Sequence, residues 1–390
     1  MDNMASPEHD QTLNFIYVHE FLNAGDLIVY TVLSNLKRFV IEVNAADLVG
    51  PGNLLEEFKN LLALEDKHDS NLGHKLEDWV LDPALDFIRN VAPALKSWPC
   101  KPLTVLDFYT METYGLKLKN EAGKLHATQC PLDKWDDVGF VPRLKVIENT
   151  QWVETPRDDK DLFISRVALE GLPRFRASEM ERVLGDSNIH ELGNIPGKVR
   201  WTGSDKEYYF KPTHNGRYCS REIEMLSRIE KGAKSSLMAD PGYAATIRTT
   251  RLVGVVMWDE EDGDNDDDAY VMGLLLEYVK GNPLQTHLVH EKLGLCKVEP
   301  GSKSKWAAQM EATLRYLHSI DVVWAGVYSH YVIINEDGDA VLTHFGGGFA
   351  PTYIPWELLG TAEADLLSLK RIKEEMSLDI SDMPPLPAKL

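Results

Sequence analysis

Cysteine is scarce in this chain of 390 residues: only Cys100, Cys130, Cys219 and Cys296 occur, widely separated and in no zinc or redox spacing. A disulfide framework and a Cys-based metal site are therefore excluded, and four scattered thiols point to a reducing, cytoplasmic setting. Long apolar runs are absent as well, so no membrane span is expected. The N-terminus has neither a basic stretch nor an apolar core and does not read as a secretory signal. Positive charge is in short supply, with 41 Lys and Arg against 61 Asp and Glu and a net charge of −20. That balance repels phosphate backbones and anionic lipid, which argues against nucleic-acid and membrane partners. Much of the acidity is local, since Asp259 to Asp268 holds eight acids in ten positions. It lacks the ligand spacing of a calcium loop and reads as a solvated loop.

The remainder is that of a folded protein, with 44% hydrophobic and 26% charged residues. Residues 13–43 alternate β-branched and aromatic positions around two turns and read as strands. Helical periodicity follows over about 53–65 and 74–95, the second interrupted at Pro83. A strand is expected at 103–110 and a helix at 177–192. From 198 the order is strand, strand, helix, two strands flanking the acidic loop, a short linker, a helix at about 304–319, a hairpin around Gly338, and a helix at about 361–376. No internal repeat is visible.

Several residues at ordered positions give this C-terminal order its meaning. Phe210-Lys211-Pro212 ends a strand, and Arg221-Glu222 opens the next helix. The strand Gly273 to Val279, with Glu277 and Tyr278 near its end, leads into the linker. Leu317-His318-Ser319 closes a helix, Trp324 begins the following loop, and His344-Phe345-Gly346-Gly347-Gly348 follows the hairpin. The set resembles the protein-kinase fold, in particular an atypical fungal kinase-like group with an extra N-terminal module. The resemblance implies an α+β architecture: a module at 1–150, a connecting segment at 151–194, a bilobal kinase-like body with a small antiparallel lobe at 195–280, and a reduced helical lobe at 281–390. It also implies that Lys211 and Glu222 are the nucleotide-site pair, and that Glu277, Tyr278, Trp324, Phe345 and Gly346 border a ligand cleft.

At the positions that matter for phosphoryl transfer the chain departs from that pattern. The resemblance puts Gly326 where the catalytic aspartate belongs, Tyr328 at the lysine, Tyr331 at the asparagine and His344 at the metal-binding aspartate. Magnesium prefers oxygen ligands, and an imidazole and a phenol are poor substitutes. The turn Thr202-Gly203-Ser204-Asp205 has a single glycine where a phosphate-cradling loop would repeat it. Neither a metal nor a cofactor is expected.

Tyr328, His330, Tyr331 and His344 should then converge on one cleft. Two readings stand side by side: the aromatics fill space vacated by nucleotide, or they perform acid–base chemistry near neutral pH. The leading expectation is a pseudokinase-like protein that binds a small molecule in the cleft or a protein partner at its surface. The alternatives are an isomerase- or cyclase-type enzyme acting in the same cleft and a weak residual kinase.

Overall fold

The computed structural model describes residues 16–65, 73–95, 99, 102–132, 140–148, 162–184, 192, 194–239, 247–259, 269–347 and 354–379. Most of the acidic run, Gly348 and the Pro-rich tail lie outside the described residues. The chain divides into two compact units, Met1–Val141 with Glu181–Pro196, and Pro142–Met180 with Gly197–Leu390.

In the first unit, β1 (Ile16–Asn23), β2 (Leu27–Ser34), β3 (Lys37–Asn44), β4 (Thr113–Glu121) and β5 (Lys124–Cys130) form one sheet in that order. Only the β3–β4 pair is parallel. A parallel pair needs a crossover, supplied by α1 (Leu54–Glu65), α2 (Gly73–Leu81) and α3 (Leu85–Val91). Every second residue of β2 and β3 (Ile28, Tyr30 and Val32; Phe39, Ile41 and Val43) enters one core with Phe58, Leu76, Val80 and Ile88 of the helices. Pro83 sits in a 3-10 turn between α2 and α3, where the sequence placed a break.

Two expectations are corrected here. Residues 103–110 are not a strand but contain a short helix, α4 (Val105–Tyr109). Thr104 and Asp107 form a capping box: the Asp107 backbone N–H donates to Thr104 Oγ1 at 3.1 Å, and the Thr104 N–H donates to Asp107 Oδ2 at 2.9 Å. Val105, Phe108 and Tyr109 thereby share a buried face. Nor is 177–192 a helix. Among its described residues, Ala177–Glu179 is a 3-10 turn and β9 (Met180–Arg182) is a strand, while 185–191 lie outside the described residues. Long-range bonding overrides helix propensity here: Glu181 bridges Thr104, and the Arg182 N–H donates to the Leu103 carbonyl at 2.7 Å.

The second unit contains β6 (Leu144–Ile147), β7 (Phe163–Ser165), β8 (Arg174–Arg176), β10 (Lys198–Trp201), β11 (Glu207–Pro212), β12 (Leu252–Met257) and β13 (Tyr270–Glu277). β13 is central, with β11 and β12 antiparallel on its two edges. Its residues Val271 to Leu276 are buried without interruption, as a strand covered on both faces requires. Helix α5 (Gly216–Ala239) packs Cys219, Ile223, Leu226 and Ile229 into the same core, at steps of three and four.

Beyond β13 come β14 (Gly281–Pro283), α6 (Leu284–Lys292), α7 (Ser302–Ser319), the hairpin β15 (Val332–Asn335) and β16 (Ala340–Leu342), and α8 (Ala362–Glu375). β14 pairs with β15, so the linker after β13 is tied to the hairpin. β14 lies where the sequence offered only a linker, and α6 lies in a stretch between that linker and the helix at 304–319 to which the sequence assigned no element.

Gly273 is a close-approach position. A Cβ there would lie 2.2 Å from the Lys211 carbonyl oxygen and 2.8 Å from Phe210 Cε2. Gly273→Ala should push β11 from β13 and destabilise by about 1–3 kcal/mol, the usual range for overpacking. Thermal unfolding checks this, and an unchanged melting temperature would contradict it.

Candidate functional site

Three elements of the second unit bring three polar side chains together. β11 presents Lys211, α5 presents Glu222, and the segment after β16 presents His344. Lys211 Nζ donates to Glu222 Oε2 at 2.6 Å and lies 2.9 Å from His344 Nδ1. An ammonium has no lone pair to offer, so Nδ1 is the acceptor and the neutral imidazole carries its proton on Nε2. Burial, followed by the Lys211 charge, lowers the His344 pKa to about 3, against a smaller opposing pull from a hydrogen bond to the Gly347 backbone. His344 is therefore uncharged throughout the physiological range. Glu222 is buried, and its Oε1 accepts from the Phe345 N–H at 3.2 Å. The cluster thus holds one cation, one anion and one neutral ring.

His344 adopts φ +64, a left-handed conformation unusual for a residue with a Cβ. Neighbouring contacts hold it there. Trp324 Nε1 donates to the Thr343 carbonyl at 2.6 Å, and the Arg221 guanidinium donates to the carbonyls of Phe345 and Val323. Trp324 is itself fixed from a distance: Asp365, fully buried in the first turn of α8, accepts from the Trp324 N–H and the Ala325 N–H, both at 2.8 Å. His318 Nε2 meets the same carboxylate at 2.9 Å.

The four aromatic candidates form a run of touching rings. His344 stacks on Tyr331 with centroids 3.9 Å apart and planes 3° from parallel. Tyr331 meets the His330 ring edge-on at 4.2 Å, and His330 stacks on Tyr328 at 5.0 Å. Burial lowers the His330 pKa and raises that of Tyr331, which leaves both neutral near pH 7.

These groups border a cleft of about 380 Å³, within the ordinary size of a ligand site. Lys211, Glu277, Tyr278, His330, Tyr331 and His344 line it. Glu222 and Gly346 line a smaller adjoining cavity of about 180 Å³, which shares Lys211 and His344 with the cleft. Tyr328, Trp324 and Phe345 line neither cavity; Trp324 and Phe345 are core side chains. The turn Thr202–Asp205 contributes nothing to either. Sequence reasoning missed Tyr209, Thr250 and Thr343 on the cleft wall and Asp365 behind it. Thr250 and Thr343 look like any β-branched residue at a strand end, and Asp365 carries no local mark because its partners are about forty residues away.

Position 326 has no room for a side chain. A Cβ at that position would lie 2.2 Å from Trp324 Cε2, so the indole occupies the space a side chain would need. Among the described residues, no group of three or more His, Cys, Asp or Glu is gathered in a way that could hold a metal ion. No helix among them is long and apolar enough to cross a membrane.

Lys211 and Glu222 are partly and almost wholly buried, at 22% and 3% side-chain exposure. Removing one partner of a buried pair costs roughly 3–5 kcal/mol, whereas replacing both is much milder. Lys211→Met should thus lower stability by about 3 kcal/mol, and Lys211→Met with Glu222→Gln by clearly less. Denaturant unfolding of both variants checks this, and an unchanged Lys211→Met midpoint would rule out a structural pair.

No family model matches the chain. Over a stretch of 72 residues it is 33% identical to serine/threonine-protein kinase Sgk1 of Homo sapiens and to Sgk1-B of Xenopus laevis, and 32% identical to Sgk1 of Xenopus tropicalis. Each match covers 18% of this chain and 16% of the kinase, so the chain spans about one sixth of the length of these curated relatives. Part of the chain is therefore similar to serine/threonine protein kinases.

Proposed function

We propose that the second unit is a kinase-like bilobal body that has lost phosphoryl transfer and uses its cleft to bind a small molecule. In this reading residues 195–280 are the small lobe, 281–390 a reduced large lobe, 1–150 an accessory module and 151–194 the connection. The partial likeness to protein kinases supports it, as does the order of β11, α5, β12, β13, α7, the hairpin and α8. The observation that carries the loss of transfer is the imidazole of His344, which accepts from Lys211 Nζ at 2.9 Å and has its face covered by Tyr331. Phosphoryl transfer needs oxygen ligands to hold the metal and a base for the acceptor, whereas a Lys–Glu pair such as Lys211 with Glu222 is compatible with it. Here the ring is a poor magnesium ligand, and no base fits at Gly326.

One observation favours the acid–base alternative, the convergence of His330, Tyr331 and His344 on a single cleft. The His344 Nδ1 lone pair is already taken by Lys211, so His330, exposed and neutral, would be the base in that case. Binding without turnover needs fewer assumptions and is the preferred reading.

The test is titration with ATP and magnesium, followed by calorimetry and thermal shift. No metal-dependent stabilisation is expected, and His344→Asp should not create phosphotransferase activity, because Gly326 and Tyr331 still lack the base and the second metal ligand. Micromolar, magnesium-dependent ATP binding would overturn the proposal.

A further inference from the structure

Apart from the cleft beside Lys211, the second unit holds a cavity of about 320 Å³ whose charged wall is cationic. Arg217 and Arg221, one helical turn apart on α5, border it, and no Asp or Glu is among its described lining residues. It shares Tyr218, Gly346 and Gly347 with the small cavity next to the cleft, but neither Lys211 nor His344. Two guanidiniums without a carboxylate form an unusual wall in a chain of net charge −20.

Arg221 carries the argument. Its Nη1 donates to the Phe345 carbonyl and its Nη2 to the Val323 carbonyl, the latter at 2.8 Å. Both acceptors are neutral. The segments that bear them continue into the cavity wall, one as Gly346 and Gly347, the other as Ala325 and Val327. The edge of the guanidinium lies beside that wall: a Cβ built on Gly347 would stand 3.6 Å from Nη1 and 3.7 Å from Nε. An arginine has five N–H donors, so three remain after the two carbonyls. The Nε–H meets no acceptor among the described residues and is not sealed from solvent.

Carboxylates are near Arg221 but do not touch it. Burial, the largest influence, lowers its pKa, and Asp365, Glu222 and Glu224 oppose that from a distance. Asp365 is held by the N–H groups of Trp324 and Ala325, Glu222 by Lys211 and the Phe345 N–H, and Glu224 by Arg228 at 2.7 Å. A partly buried cation ordinarily has an anion in contact. Arg221 has two carbonyls and a cavity. The uncharged part of the wall is mostly apolar, from Val327, Leu359 and Ala364, and Gly346, Gly347 and Gly360 let a ligand come close to the backbone.

We propose that this cavity is a second ligand site, which takes a small organic oxyanion, a carboxylate or phosphate monoester on an apolar body, with the anionic oxygens on Arg221. A planar guanidinium matches two oxygens of either group. The site is independent of the reading of the Lys211 cleft. Phenyl phosphate, benzoate and benzyl alcohol share a ring, differ in charge and serve as probes. Binding to the full chain is followed by magnetic resonance at the amides of Ala325, Gly346, Gly347 and Gly360 and at the Arg221 Nε–H, assigned from the wild-type backbone. At least one of the anions should move the Nε–H signal and bind roughly fivefold more tightly than the alcohol at low salt, the upper span of a partly exposed ion pair. Added salt should narrow the gap. Either order of the anions supports the site: phenyl phosphate first names a phosphate monoester, benzoate first a carboxylate. Arg221→Lys keeps the charge, loses the Nε–H and the fork, and should remove most of the preference. Should that variant fail to fold by its melting temperature, the wild-type Nε–H shift decides alone. Equal affinity for the alcohol, an unmoved Nε–H, or shifts confined to the Lys211 cleft would overturn the proposal.

Discussion

The bond from the Lys211 ammonium to the Nδ1 of His344 organises the site. It joins β11 to the segment after the hairpin, and through Glu222 it extends to α5. It also sets the state of the imidazole. A ring accepting from a cation cannot readily become a cation itself, and burial adds to the penalty, so His344 stays neutral. Neutrality allows Tyr331 to lie flat against it at 3.9 Å with no charge to solvate.

Support for the arrangement comes from a second buried group, Asp365. Its two oxygens hold the consecutive N–H groups of Trp324 and Ala325, and the Trp324 indole then ties down the carbonyl before His344. A buried carboxylate is tolerable because several donors satisfy it. The same indole leaves no room for a side chain at Gly326. A single packing decision, an indole in that place, therefore both positions His344 and excludes a side chain at position 326.

How much of this the sequence disclosed depended on distance along the chain. Local periodicity marked β2, β3, β11, β13, α5, α7 and α8, because alternate or third-and-fourth burial is written in neighbouring residues. It failed at 103–110, where Val105, Phe108 and Tyr109 gave a strand-like composition, and the more telling signal was the pairing of Thr104 with Asp107 in a capping box. It failed at 177–192 because bonds from Glu181 and Arg182 to residues near 103 decide that backbone. At the site, the residue types at 211, 222, 331 and 344 were legible, and the ring stack was anticipated only as convergence. The tautomer of His344 was not legible, since it depends on a lysine 133 positions away. Trp324, Phe345 and Tyr328 read as cleft residues because they neighbour ones that are; their side chains line neither cavity.

The central claim is that His344 is a neutral acceptor of a lysine hydrogen bond. Magnetic resonance of the chain with nitrogen-labelled histidine, assigned by the signal lost in His344→Gln, observes it directly. The account predicts an unprotonated Nδ1 and a protonated Nε2, unchanged from roughly pH 8 down to about pH 4. A His344 ring that titrates near 6.5, the ordinary value for histidine, or that carries its proton on Nδ1, would contradict it.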